Sequence, residues 1–296
     1  MGCEQKENVV EGFSIIIPAY NEEVGIASVI ESILSVMDGS NIDYELLVVD
    51  DGSTDRTAEI VRESGVGLIQ HSSNRGYGAA LKTGISRVNH EAILITDADG
   101  TYPDERIPDL IRVYKEGNFD MVIGARTGEN VSVPIMRKPA KWIISKLANY
   151  LTRMKIPDLN SGLRVMRKEA LEKFMQILPD GFSFTTTITL ALLTNAYSVK
   201  YVQVDYYKRK GTSKINPIKD TFNFIVLIIR TVLYFNPLSV FVPLSLLLVV
   251  LAIVVLLGGW FFLGVFMDQS FGIIIMTAVV VMSIGMLADL IDKRLL

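Results

Sequence analysis

Residues 13–23 read Phe13-Ser14-Ile15-Ile16-Ile17-Pro18-Ala19-Tyr20-Asn21-Glu22-Glu23. A short, β-branched apolar run breaks at a proline and gives way to a polar, acidic turn. Such a run, with few polar breaks, predicts a strand covered on both faces. The pattern returns at Glu45-Leu46-Leu47-Val48-Val49, at residues 66–70, at Ala92-Ile93-Leu94-Ile95 and at Met121-Val122-Ile123. Between these runs, residues 24–36, 55–64, 78–88 and 103–114 read as helices. Pro103 with Asp104 and Glu105 marks a helix start, because proline tolerates the first turn and acids complement the helix dipole. The alternation predicts an α/β fold on a mostly parallel, doubly wound sheet.

Further along, the composition changes. Half of the 296 residues are hydrophobic, and the mean hydropathy of +0.36 is high for a wholly soluble chain. Residues 231–267 carry no charged side chain, and residues 269–288 form a second uncharged stretch. Each can supply the roughly 20 apolar residues that cross a bilayer core. Leu244-Ser245-Leu246-Leu247-Leu248-Val249-Val250-Leu251 lacks the polar face that a soluble helix keeps. Two transmembrane helices are expected, at about 238–264 and 270–290.

Charge sets their orientation. Lys208, Arg209, Lys210, Lys214, Lys219 and Arg230 precede the first span, and Lys293 and Arg294 follow the second. The short turn between the spans holds Asp268 and no Lys or Arg. The positive-inside rule therefore puts the N-terminal part and the C-terminal tail in the cytoplasm. Residues 219–234 gather Phe222, Ile225, Leu227, Ile228 and Val232 on a broad apolar side, as an interfacial helix does. The expected organisation is an α/β domain over 1–215, an amphipathic helix over 216–235 and a membrane hairpin over 236–296.

Several classes fall away. A net charge of -3 offers no basic excess for nucleic acid. Cys3 is the only cysteine, so no intrachain disulfide forms. The opening Met1-Gly2-Cys3-Glu4 has no apolar signal-peptide core. Lys6 stands where N-myristoylation wants Ser or Thr. Gly258, Gly259 and Gly264 leave room for a homo-oligomer.

Polar residues collect just past the strand ends, the rim where open parallel sheets bind ligands. These are Pro18–Glu23 after the first strand, Asp50-Asp51-Gly52-Ser53-Thr54-Asp55 after the second, Asn74-Arg75-Gly76-Tyr77-Gly78 after the third and Asp97-Ala98-Asp99-Gly100 after the fourth. Carboxylates two positions apart in a turn can converge on one hard cation, Mg²⁺ or Mn²⁺, bridging to substrate phosphates. An Asp-rich turn also arises as plain turn chemistry, and Gly76-Tyr77-Gly78 is equally explained by a turn.

In this order the segments resemble the family 2 glycosyltransferases of the GT-A fold. The nearest likeness is to dolichol-phosphate mannose synthases and bacterial polyprenyl-phosphate glycosyltransferases. It spans about residues 12–215. The resemblance implies that Pro18, Tyr20 and Glu22 line a nucleoside pocket and that Asp51 contacts the base. It implies that Asn74, Gly76 and Lys82 lie beside base, ribose and diphosphate. Asp97 and Asp99 match the aspartates of the metal motif, and with Ala98 they match residues that bind the nucleotide sugar. Arg126, Arg137, Lys138 and Ser161 match the acceptor-phosphate side. Arg209 and Lys214, around Gly211-Thr212-Ser213, match the cations that face the diphosphate. Asp97, Asp99, Arg126, Arg209 and Lys214 are the implied catalytic set.

There are two departures. Gly100-Thr101 stands where many relatives have Leu-Gln, and Thr185-Thr186-Thr187 stands where many carry an acid after the Phe of a late helix. No catalytic part is expected for His71 or His90.

The implied reaction is inverting transfer of a hexose from a GDP- or UDP-sugar to a dolichyl or undecaprenyl phosphate at the cytoplasmic membrane face. Three rival readings each imply a mark of their own in the sequence. One is a membrane glycosyltransferase that acts on a glycan or on a lipid head other than a simple phosphate; processive polysaccharide synthases of this kind usually carry a Gln-x-x-Arg-Trp motif, which is absent from this sequence. A nucleotidyltransferase would place a Gly-rich basic loop after the first strand, where Ala19-Tyr20-Asn21-Glu22-Glu23 stands. An idle membrane scaffold would have little reason to keep both aspartates.

Overall fold

The computed structural model describes residues 12–131, 154–207, 236–265 and 267–295, with scattered positions in 146–150 and 226–234. Strands β1 (Gly12–Ala19), β2 (Asp43–Asp50), β3 (Gly67–Gln70), β4 (Ala92–Ile95) and β5 (Met121–Val131) fall on the expected runs. Two further strands, β6 (Arg164–Arg167) and β7 (Val199–Tyr206), were not anticipated. The seven strands lie in the order β3-β2-β1-β4-β6-β5-β7. All pair in parallel except β6, which runs antiparallel to both β4 and β5.

Side-chain alternation explains why the sheet is covered twice. On β1, Phe13, Ile15 and Ile17 enter one core while Ile16 enters the other; on β4, Ala92 and Leu94 part from Ile93 and Ile95 in the same way. Helices α1 (Ile26–Asp38), α2 (Thr57–Glu63) and α4 (Ile107–Gly117) cover the first face. Helices α3 (Tyr77–Ile85), α5 (Lys168–Phe174) and α6 (Phe184–Thr194) cover the second. The expected start at Pro103 becomes a 3₁₀ turn over Asp104–Arg106, and the α-helix follows from Ile107 with Pro108 in its first turn.

Two long helices close the chain, α7 (Leu238–Gly258) and α8 (Asp268–Leu295), with a π-turn over Gly259–Leu263 where the first span was expected to run on. Leu238–Phe261 and Asp268–Ile291 are each 24 residues long with mean hydropathies of 3.2 and 2.5, and only 11% of either apolar window is buried. Their outward sides expose Leu246, Leu247, Val250, Val279 and Leu287. Exposure on this scale suits lipid rather than water. The helices meet through small residues: Ala252 and Ala278 are buried, and Ser245 Oγ donates to the Ala278 carbonyl at 3.0 Å. The expected interfacial segment, 216–235, lies almost wholly outside the described residues.

Two tests follow from this packing. Asp104 is 8% exposed, and burial pushes its carboxyl up to about 6 against an accepted hydrogen bond from Ser32. A pKa raised above the unfolded 3.8 favours folding most below that value, and the contribution is lost as pH rises through about 6. Asp104→Asn is expected to gain on the wild type by about 2 kcal/mol between pH 4 and pH 7, read as denaturation midpoints in detergent. A stability gap independent of pH would remove the argument.

A Cβ on Gly285 would collide with the Cβ of Phe241. Gly285→Leu is therefore expected to cost about 1–3 kcal/mol, and adding Phe241→Gly, which removes that Cβ, should restore part of it. A double variant no more stable than Gly285→Leu alone counts against this contact.

Candidate active site

The strand order reverses between β1 and β4, so the loops leaving their C-terminal ends diverge and open a crevice. Asp97 and Asp99 follow β4 directly into that crevice, beside Pro18–Glu23.

The acidic turn after β1 is held by the turn after β2. Asn21 takes a left-handed conformation (φ 56°). Its backbone N–H donates to Ser53 Oγ at 2.9 Å, and its Oδ1 accepts from the Thr54 N–H at 2.8 Å. The Glu22 N–H donates to Thr57 Oγ1 at 2.9 Å, and Glu23 accepts from the Arg56 N–H at 3.1 Å. Pro18 is buried, and Tyr20 and Glu22 are half-buried at the crevice edge.

Asp51 organises the next loop. Its Oδ1 accepts from the Arg75 N–H at 2.9 Å and lies 2.7 Å from His71 Nδ1; its Oδ2 accepts from the Gly76 N–H at 2.7 Å. His71 Nε2 reaches Thr83 Oγ1 at 2.9 Å. An open groove of about 430 Å³, lined by Gly52, Ser53, Thr54, Gln70, His71 and Ser72, borders this arrangement. Asn74 is exposed on the loop that Asp51 holds.

Gly76-Tyr77-Gly78 is more than a turn. A Cβ on Gly76 or Gly78 would collide with the carbonyl of Asp180 or Pro179, so both glycines seat the backbone of residues 179–181. Lys82 Nζ pairs with Asp180 Oδ1 at 2.7 Å and pins the same segment. Tyr77 stacks on Phe182 with centroids 5.6 Å apart. Its hydroxyl donates to Asp97 Oδ1 at 3.0 Å. Desolvation, together with the Asp97 charge, pushes the phenol well above its ordinary pKa.

Around the aspartates the packing is close. A Cβ on Gly25 would stand 2.9 Å from the Ala98 carbonyl, and one on Gly162 would stand 2.5 Å from Asp97 Oδ2. Thr101 is fully buried, and its N–H and Oγ1 donate to Asp99 Oδ1 at 3.1 and 2.6 Å. The residue in the position of the relatives' Gln thus orients Asp99.

On the far side lies the turn 158–162. Arg126 donates through Nε and Nη2 to the buried Asp158 at 2.7 and 2.8 Å, and through Nη2 to Asn160 at 2.6 Å. Burial opposes the charge, but Tyr102 and then the bonded Asp158 carboxylate hold the guanidinium pKa well above its ordinary value. Ser161 is fully buried and donates to the Gly124 carbonyl at 2.5 Å, so its hydroxyl braces the turn. Arg137, Lys138, Arg209 and Lys214 lie outside the described residues.

A hard divalent cation takes oxygen donors, commonly one or two carboxylates completed by phosphate oxygens. Asp97 and Asp99 offer such a set, and among the described residues no group of three or more His, Cys, Asp or Glu gathers for a metal. The donors fit Mg²⁺ or Mn²⁺ rather than a zinc-type site. Sequence reasoning missed Tyr77, Asp158, Arg164 and Asp180, and gave His71 no part. Tyr77 carried one usable signal, its place between two glycines.

Comparison with known proteins agrees with this architecture. The family model described as Glycosyl transferase family 2 matches residues 14–175. A dolichyl-phosphate hexose transferase of Haloferax volcanii is 29% identical over 212 residues, 71% of this chain and 90% of that protein. An undecaprenyl-phosphate 4-deoxy-4-formamido-L-arabinose transferase of Photorhabdus laumondii is 31% identical over 211 residues, 69% of this chain and 61% of that protein. The chain spans from about half to nine tenths of the length of the curated relatives it matches. Among solved structures, glucosyl-3-phosphoglycerate synthase of Mycobacterium tuberculosis, in complex with Mn²⁺, UDP-glucose and phosphoglyceric acid, superposes with a TM-score of 0.60 at 20% identity. That superposition covers 76% of this chain and 81% of the other, a likeness of fold. With more than half of its length inside the matched model, and with the acid-lined crevice that such a fold leaves at its switch point, this chain belongs to glycosyl transferase family 2.

Proposed function

We propose that this glycosyltransferase moves a hexose from a nucleoside-diphosphate sugar to a polyprenyl phosphate at the cytoplasmic face of a membrane, with inversion and with Mg²⁺ or Mn²⁺. The observation that carries the reading is the joining of an acid-lined crevice to two helices that turn apolar sides outward. The relatives named for dolichyl- and undecaprenyl-phosphate transfer support the acceptor. The basic residues flanking the spans support the orientation.

Each residue then has a task. Asp51, by fixing the loop from His71 to Gly76, frames the groove for the base. Tyr20, Glu22, Asn74 and Lys82 border the nucleotide. Asp97 and Asp99 hold the cation, which when bound offsets the charge that develops on the leaving diphosphate. Arg209 and Lys214 close over that diphosphate. Asp158 grips the Nε and Nη2 edge of Arg126 and leaves Nη1 for an acceptor phosphate; Arg137 and Lys138, outside the described residues, are assigned to the same phosphate by the family resemblance.

The acceptor needs no general base. A phosphate monoester has a second pKa of about 6, so it is already anionic at neutral pH. In-line attack then inverts the anomeric carbon. This chemistry asks for positioned cations rather than a catalytic histidine or a free carboxylate.

The direct test supplies detergent-solubilised full chain with radiolabelled nucleotide sugars, short polyprenyl phosphate and Mn²⁺. One donor is expected to label the lipid, and Asp99→Ala is expected to lower that rate by about 10²-fold or more. Label on a glycan primer, with none on lipid, would keep the donor site and discard the acceptor. A second test separates the two sides of the crevice. Asp158→Asn should raise KM for polyprenyl phosphate by about tenfold while leaving donor KM unchanged. A rise in donor KM alone would contradict the role given to Arg126.

A further inference from the structure

One buried charge has no part in the reaction outlined above. Arg164, at the start of β6, is 0% exposed and heads the largest fully buried side chains. Its hydrogen bonds all go to neutral acceptors: the Ser161 carbonyl, the Thr185 carbonyl, Thr189 Oγ1 and, weakly, Met121 Sδ. Burial lowers its pKa, as expected for a cation taken out of water. An ion in such surroundings costs several kcal/mol unless other bonds compensate. An apolar residue of similar volume would serve a core better. The guanidinium is therefore unusual on packing grounds, and what it holds explains it.

Two of its nitrogens converge on one atom. Nε donates to the Ser161 carbonyl at 3.0 Å, and Nη2 donates to the same oxygen. The opposite edge is anchored on α6, where Nη1 donates to the Thr185 carbonyl at 3.0 Å and to Thr189 Oγ1 at 2.9 Å. Thr189 is itself fixed by donating to the Thr185 carbonyl at 2.7 Å. Arg164 thus bolts the peptide after Ser161 to a fully buried helix.

That peptide leads into Gly162. The Gly162 N–H donates to the Tyr102 hydroxyl at 2.6 Å. Its Cα lies so close to Asp97 that an added Cβ would stand 2.5–2.7 Å from the three carboxylate atoms. From the other side the Tyr77 hydroxyl donates to Asp97 Oδ1 at 3.0 Å. Asp97 is therefore clamped between a tyrosine hydroxyl and a glycine backbone, and the glycine is held through Arg164.

We propose that Arg164 is a positioning residue: by pinning the Ser161 carbonyl to α6 it presses Gly162 against Asp97 and sets that carboxylate for the divalent cation. This rests on the reading that Asp97 holds a cation. It gives α6, which has no acid after Phe184, a supporting role in the metal site through Thr185 and Thr189.

Arg164→Lys keeps the charge and loses the two-sided grip. Thr189→Val removes one hydroxyl acceptor at a fully buried position on α6. Mn²⁺ binding to the full chain in detergent, with UDP or GDP present, is read by electron paramagnetic resonance. Nucleoside-diphosphate binding with EDTA present is read by calorimetry. Both variants are expected to bind Mn²⁺ about tenfold more weakly and to bind the nucleotide without metal as the wild type does. Wild-type Mn²⁺ affinity in folded variants overturns the proposal, and so does an equal loss of metal-free nucleotide binding, which would mean general loosening. If Arg164→Lys does not fold, Thr189→Val decides alone. A wild-type chain that binds nucleotide but no Mn²⁺ also overturns it, while leaving lipid labelling to judge the transfer reaction separately.

Discussion

A sheet buried on both faces has only its ends for chemistry, and the reversal of strand order between β1 and β4 decides which end opens. Neither face of β1 or β4 tolerates a charge, since Ile15, Ile16, Leu94 and Ile95 are all fully buried. The first place a carboxylate can stand is past the last ladder bond. Asp51, Asp97 and Asp99 stand there, with Asp50 as the last residue of β2, and each enters hydrogen bonds where the strand ends. The loops do not merely contain polar residues. They are shaped by them: Asp51 alone fixes the path of Arg75 and Gly76, more than twenty residues away in sequence.

Close backbone approach completes the rim. Gly25 against the Ala98 carbonyl, Gly76 and Gly78 against residues 179 and 180, and Gly162 against Asp97 are contacts that any Cβ would break. Such contacts convert loops into rigid walls, because they trade side-chain freedom for backbone packing. A crevice that must stabilise developing charge benefits from this rigidity, since groups already in place need no reorganisation. The ion pair between Arg126 and Asp158 works to the same end: a mobile cation becomes one with a fixed edge.

What the sequence disclosed follows from range. Apolar runs such as 13–17 and 92–95 announce themselves because both faces are buried, and the triplet Asp97-Ala98-Asp99 is local. Helix limits slipped by two or so residues, as with α1 beginning at Ile26 rather than Val24, because Gly25 is fixed by a distant contact with Ala98. The strand β6 was hidden because Arg164-Val165-Met166-Arg167 carries a charge at each end, and one of those charges is buried. Tyr77 meets Asp97 across 20 positions and Arg126 meets Asp158 across 32, so no local pattern reveals either pair. His71 seemed idle for the same reason, although it lies 2.7 Å from Asp51.

Helix α6 joins these themes. Every residue from Phe184 to Leu193 is buried, so it has no polar face and gives no amphipathic signal. Two of its Thr hydroxyls are satisfied within the helix, Thr189 donating to the Thr185 carbonyl and Thr194 to the Leu190 carbonyl. At one end it anchors Arg164, and through it the turn on Asp97. At the other, Leu190 and Leu193 share an apolar cluster with Val240 of α7, near the start of the first apolar span. An 11-residue helix is about 16 Å long. Helix α6 thus packs both against the residue that holds the Asp97 turn and against the start of α7. On the proposed reading, in which the acceptor phosphate lies at a bilayer surface, that packing links the turn beside Asp97 to the apolar helices.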